Sequence, residues 1–151
     1  MKILIVLVSL FAVFTACNTP KPVAVNEEII SVLHGTNFGH CRGYCRKEAV
    51  FMENQIEYIE SSVDSAKNPV KVENFKNDSS WKKITDKIDW EKFKSLQESY
   101  GCPDCADGGS EYIEIKTTNG TKRVTIEFGK NLIELEPLLT ELRSQRKNME
   151  P

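Results

Sequence analysis

Among the residues able to do chemistry in this chain, the cysteines stand first. Five occur in 151 residues. Four fall in two glycine-containing segments, Phe38-Gly39-His40-Cys41-Arg42-Gly43-Tyr44-Cys45 and Gly101-Cys102-Pro103-Asp104-Cys105-Ala106-Asp107-Gly108-Gly109. Outside a reducing cytosol, an even set of thiols is expected to close into two disulfides. A bridge between the two segments stabilises by roughly 4 kcal/mol in the loop-entropy model, against roughly 2 kcal/mol within either one, so cross-segment pairing gains more where geometry permits. The spacing Cys-x3-Cys and Cys-x2-Cys also falls within the range of structural zinc, with His40 able to replace a sulfur. Thiol-disulfide exchange at Cys102 and Cys105 is the third chemistry. It needs a helix N-terminus or a cation to stabilise a thiolate, whereas Gly108-Gly109 stops a helix and Asp104 and Asp107 disfavour a second negative charge. Structural disulfides are therefore the first reading, with zinc binding or thiol redox at the same four residues as the alternative.

The side chains around the sulfurs, Phe38, His40, Arg42, Tyr44, Asp104 and Asp107, combine aromatic, basic and acidic character suited to contacting another protein. No catalytic residue is assigned. His34 and His40 pair with no motif-marked serine, and no phosphate-binding glycine loop occurs. Asp104, Asp107 and Glu111 do not follow a calcium-loop spacing. His34 continues the alternation of Ile30 and Val32 and is expected at a sheet edge. No cofactor is expected beyond a covalent lipid.

That lipid is suggested by the fifth cysteine. Lys2, the apolar run Ile3 to Phe14 and then Thr15-Ala16 have the three parts of a secretory signal, and the run is too short to span a bilayer. Phe14-Thr15-Ala16-Cys17 resembles the bacterial lipobox, with phenylalanine where leucine is commonest. The resemblance implies acylation of Cys17, cleavage before it, and a protein tethered to a membrane without crossing it. Asn18 is not the aspartate associated with inner-membrane retention, so the resemblance points to the outer membrane, facing the periplasm. Loss of residues 1–16 leaves 135 residues and removes one lysine, taking the net charge from −2 to −3. That length suits one domain. Charges are mixed along the chain apart from Arg143, Arg146 and Lys147, so nucleic-acid partners are excluded. The remaining partners are the membrane and another envelope protein.

The elements that must position these residues follow from periodicity. Residues 17–27 read as an extended tether, 28–147 as one domain and 148–151 as a tail. Ile29 to His34 reads as a strand. Lys47 to Met52 and Gln55 to Glu60 form a hairpin that sets Phe51 opposite Ile56 and Ala49 opposite Tyr58. A short strand at Val70 to Phe75 lies within a polar stretch. Ser79 or Ser80 can cap a helix carrying Trp81, Ile84 and Ile88, and Asp89 restarts one with Trp90, Phe93 and Leu96. Asn119-Gly120 predicts a type I′ hairpin with Thr118 opposite Thr121, placing Ile113, Ile115, Val124, Ile126 and Phe128 on one face. Leu135, Leu138, Leu139 and Leu142 form the stripe of a final helix, with Pro137 in its first turn. The expected fold is α+β: an antiparallel sheet of about five strands, from two hairpins and an N-terminal strand, with two or three helices on one face.

The two cysteine segments resemble those of a group of uncharacterised bacterial lipoproteins that carry Phe-Gly-x-Cys-x-Gly-Tyr-Cys and Gly-Cys-Pro-Asp-Cys-Ala-Asp-Gly-Gly. These stand here as Phe38 to Cys45 and Gly101 to Gly109. A more distant resemblance is to a domain family of unknown function with a Cys-Phe-Gly-x-Cys-Pro-x-Tyr loop, matched by Phe38, Gly39 and Cys41 but with Asn37 and Arg42 in place of its first Cys and its Pro. Neither resemblance implies an activity, and binding rather than catalysis is the expectation.

Overall fold

The computed structural model describes residues 27–76 and 79–150. The signal segment, Cys17 and nearly all of the tether lie outside the described residues. The chain forms β1 (Ile29–Asn37), β2 (Arg46–Phe51), β3 (Gln55–Ser61), β4 (Lys71–Lys76), α1 (Ser80–Thr85), α2 (Trp90–Ser95), β5 (Ser99–Tyr100), β6 (Ser110–Thr117), β7 (Thr121–Glu127) and α3 (Glu136–Lys147). The strands join in one sheet of order β4-β3-β2-β1-β6-β7-β5. The class is α+β, as expected, with two corrections. The sheet has seven strands rather than five, and it is mixed, because β5 runs parallel to β7. The chain leaving α2 must reach Cys102, at the end of the sheet where β7 finishes, so it passes β7 in the same direction.

Alternation decides which side of each strand is buried. Val32 and His34 of β1 lie level with Phe51 and Ala49 on one neighbour and with Ile115 and Ile113 on the other. That face, with Ile56, Val124 and Ile126, packs on Ile84, Phe93, Leu138, Leu139 and Leu142 from the helices. Met149, two residues past α3, belongs to the same core. Trp81 and Trp90 sit partly buried at its margin.

Local chemistry fixes the helices. The Asp89 carboxylate accepts the Lys92 backbone N–H at 3.1 Å and starts α2. Ser79 occupies the corresponding place before α1, but its side chain makes no capping bond. In α3 the leucine stripe faces the sheet, with Glu136 in the first turn and Arg146 and Lys147 in the last, an order that suits the helix dipole. Among the described residues no helix is long and apolar enough to cross a membrane.

The β2–β3 register is the expected one, Phe51 opposite Ile56 and Ala49 opposite Tyr58. The β6–β7 register differs from expectation by two residues: Thr121 faces Lys116 rather than Thr118, and Ile113 faces Val124. Because side chains alternate with period two, this shift leaves the same residues facing the core. The turn is not type I′, since neither Asn119 nor Gly120 has positive φ. Thr117 closes it instead, its N–H donating to the Gly120 carbonyl at 2.8 Å and its hydroxyl oxygen accepting the Asn119 N–H at 3.3 Å. Phe128 lies beyond β7, half-exposed, and stands outside the core.

Candidate functional site

Both cysteine segments leave the sheet at the same end. Asn37, the last residue of β1, pairs with Arg46 at the start of β2 and with Ser110 at the start of β6. Loop 38–45 and loop 101–109 are thereby held side by side. Each closes its own disulfide, Cys41–Cys45 with Cα atoms 5.6 Å apart and Cys102–Cys105 with Cα atoms 5.4 Å apart. The more stabilising cross-segment pairing therefore gives way to local geometry. Phe38 N–H donates to the Cys45 carbonyl and Cys105 N–H to the Cys102 carbonyl, each at 3.1 Å, so both segments fold back on themselves. Left-handed backbone at Asp104, Ala106 and Asp107 makes the second reversal possible within three residues. With the sulfurs paired, the domain is disulfide-stapled. Among the described residues no three His, Cys, Asp or Glu side chains converge on a point that could hold a metal.

The loops also bind each other. The Asp104 carboxylate accepts the Gly39 N–H at 3.2 Å, and His40 Nδ1 lies 2.8 Å from Asp107. This second pair is largely solvent-exposed and stabilises by a fraction of a kcal/mol at most. The Phe38 ring covers Gly109 so closely that a Cβ there would collide with it, and it meets Phe128 edge-on with centroids 4.8 Å apart. Loop 101–109 hangs from the end of β7: Glu127 accepts the Cys102 N–H at 2.9 Å, and Phe128 N–H donates to the Gly109 carbonyl at 3.2 Å. Phe38, His40, Asp104 and Asp107 are thus brought together, with Arg42 exposed nearby on the first loop. Tyr44 is not part of this cluster. Its hydroxyl donates to the Pro69 carbonyl at 3.1 Å, and Lys71 lies over its ring.

A second polar centre escapes the sequence reading. His34 is not at a sheet edge: β1 is the middle strand, and the imidazole is fully buried under α3. Its Nε2 lies 2.7 Å from Glu111 Oε1. Arg143 Nε donates to the same oxygen at 2.9 Å, its Nη2 reaches the other, and it also binds Asn131 Oδ1 and the Lys130 carbonyl at 2.7 Å. Arg146 Nη1 donates to Thr36 Oγ1 at 2.8 Å. Burial alone would raise the Glu111 carboxyl, but the hydrogen bonds from Arg143 and His34 outweigh it and hold it at about 2. Burial pushes His34 below its ordinary value, and Arg146 and Arg143 add to that, against the hydrogen bond to Glu111. Arg143 and Arg146 are therefore inserted side chains and not part of a solvated tail, whereas Lys147 is exposed. Their signal lies in the helix period: Arg143 and Arg146 follow Leu139 and Leu142 by four residues each and continue the inward stripe.

Compared with known protein families, the chain matches no family model, and no curated protein is significantly similar to it.

Proposed function

We propose that this is a lipid-anchored protein of the bacterial cell envelope, held at the outer membrane and facing the periplasm, whose paired disulfide loops bind another envelope protein. The observation that carries the reading is the position of the loops relative to the tether. Glu27 and Glu28 lie at the β6–β7 turn, where Thr117 Oγ1 donates to Glu27 and Thr118 N–H to the Glu28 carbonyl. The loops lie at the other end of β1, and nine extended residues cover roughly 30 Å. A lipid on Cys17 would tether the domain through the end of β1 opposite to the one that carries Phe38, His40, Arg42, Asp104 and Asp107. The likeness of both cysteine segments to uncharacterised bacterial lipoproteins supports the same placement. A second reading, thiol-disulfide exchange, is favoured by one feature, the exposure of Cys102 and Cys105. Asp104 and Asp107 oppose it by disfavouring a thiolate.

Two measurements test the proposal. Labelled palmitate is expected to enter the product, and Cys17→Ala to abolish both labelling and membrane fractionation. A photo-crosslinking residue at Arg42 should then capture a protein that the same residue at Asn119 does not. Equal capture from both positions, or labelling that survives Cys17→Ala, defeats the reading.

A further inference from the structure

The helices cover one face of the sheet, and the other carries none among the described residues, yet Tyr112 and Glu48 on that open face are as buried as core residues. Gly35 makes this possible. It is the register partner of Tyr112, whose ring lies across it where any Cβ would collide. The tyrosine hydroxyl thereby reaches past β1 to β2, donating to Glu48 Oε1 at 2.9 Å and accepting from Arg46 Nε at 3.1 Å. Arg46 Nη2 also binds Glu48, at 2.6 Å. From the other side the Arg123 guanidinium stacks on the ring, 4.5 Å from its centroid, and pairs through Nε with Glu114 at 2.9 Å. Two guanidinium groups are thus fixed about a single ring, each held by a carboxylate through Nε or Nη2. Nη1 of both has no partner among the described residues. Between them lies a depression of about 250 Å³, completed by Asn37, Ser110 and Thr125.

We propose that this depression binds a small oxyanion of the phosphate or carboxylate type. Paired guanidinium groups match the planar or tetrahedral oxygens of such anions, and their fixed geometry lowers the entropy lost on binding. The hydroxyl of Thr125 and the amide of Asn37 add neutral hydrogen bonds at the rim. Ser110 contributes less, because its hydroxyl is directed at the Asn37 carbonyl at 3.4 Å. Glu48 and Glu114 offset part of the positive charge, so affinity is expected on the order of 1 mM for a simple anion. This site uses neither the cysteine loops nor the lipid and stands apart from the function proposed above.

The test is a titration of the full chain in detergent, following the arginine Nε–H resonances by nitrogen-15 NMR. The probes are inorganic phosphate and acetate, each against sodium chloride at matched ionic strength. Saturable shifts at Arg46 and Arg123 with either probe are expected, and the stronger probe tells phosphate from carboxylate chemistry. Arg123→Gln should weaken binding roughly tenfold, the loss of one charged hydrogen-bonding group. Glu114→Gln should tighten it severalfold by freeing Arg123, a gain that a purely structural cluster would not give. Shifts that chloride reproduces, or that persist unchanged in Arg123→Gln, overturn the proposal. So does a Glu114→Gln variant that folds and binds no better.

Discussion

Replacing Glu111 by glutamine removes the one anion that His34 and Arg143 share. The carboxyl sits at about 2 in the folded chain against an ordinary value of 4.5. At 1.36 kcal/mol per pH unit, that difference corresponds to about 3 kcal/mol of stability at neutral pH. A separate route gives the same size: breaking a buried ion pair by deleting one partner costs roughly 3–5 kcal/mol. The low end applies, because Arg143 is 30% exposed and keeps Asn131 and the Lys130 carbonyl. Since the folded value lies below the unfolded one, the contribution is complete above about pH 4.5 and vanishes as pH falls through 2. Urea unfolding of both proteins, followed by tryptophan fluorescence, should therefore show Glu111→Gln about 3 kcal/mol less stable at pH 7. The gap should close between pH 4.5 and 2. A gap below 1 kcal/mol at pH 7, or one that stays constant into acid, refutes the reasoning.

His34 acts in a higher window. The unfolded chain binds a proton there below its ordinary value of 6.5 while burial keeps the folded imidazole neutral, so stability falls as pH drops below 6.5. In the same urea titrations His34→Gln should flatten the slope between pH 7 and 5, and parallel slopes for the two proteins would show that His34 is not the group. Gly35→Ala should cost about 1–3 kcal/mol in urea unfolding by pushing Tyr112 off its seat, and a neutral result would mean that the ring is not confined. Cys41→Ser with Cys45→Ser should cost only roughly 2 kcal/mol, because so short a loop removes little chain entropy. Peptide mapping of the unreduced protein should return Cys41–Cys45 and Cys102–Cys105, and a Cys41–Cys102 peptide would contradict the loop geometry.

The features readable from the sequence are those governed by neighbours. The β2–β3 hairpin has a two-residue turn and apolar positions that admit one register, and Phe51 and Ile56 meet as that pattern requires. The leucine stripe of α3 and the Asp89 cap of α2 are likewise local. The place of β1 is different. Its partner β6 begins at Ser110, more than seventy residues away from Asn37, and no short-range pattern tells a central strand from an edge. His34, which reads as an edge residue on local alternation alone, is buried because of that distant pairing. The β6–β7 hairpin shows a subtler limit. Alternation specifies which residues face inward but cannot distinguish registers two residues apart, so the Thr117 side chain decides. At the cysteines, sequence supplies the residues and the expectation that they pair, while backbone reversals within each loop select the pairing.

The position of β1 also governs how the molecule bears load. A pull applied at Glu27 and resisted at the loops acts along a strand already close to full extension, hydrogen-bonded to a neighbour on either side. Such a path has little slack to take up, and its ladders would have to slide lengthwise together, not open one bond at a time. Under the proposed function, tension between a lipid anchor and a bound partner would be transmitted with small displacement, the domain acting as a stiff spacer.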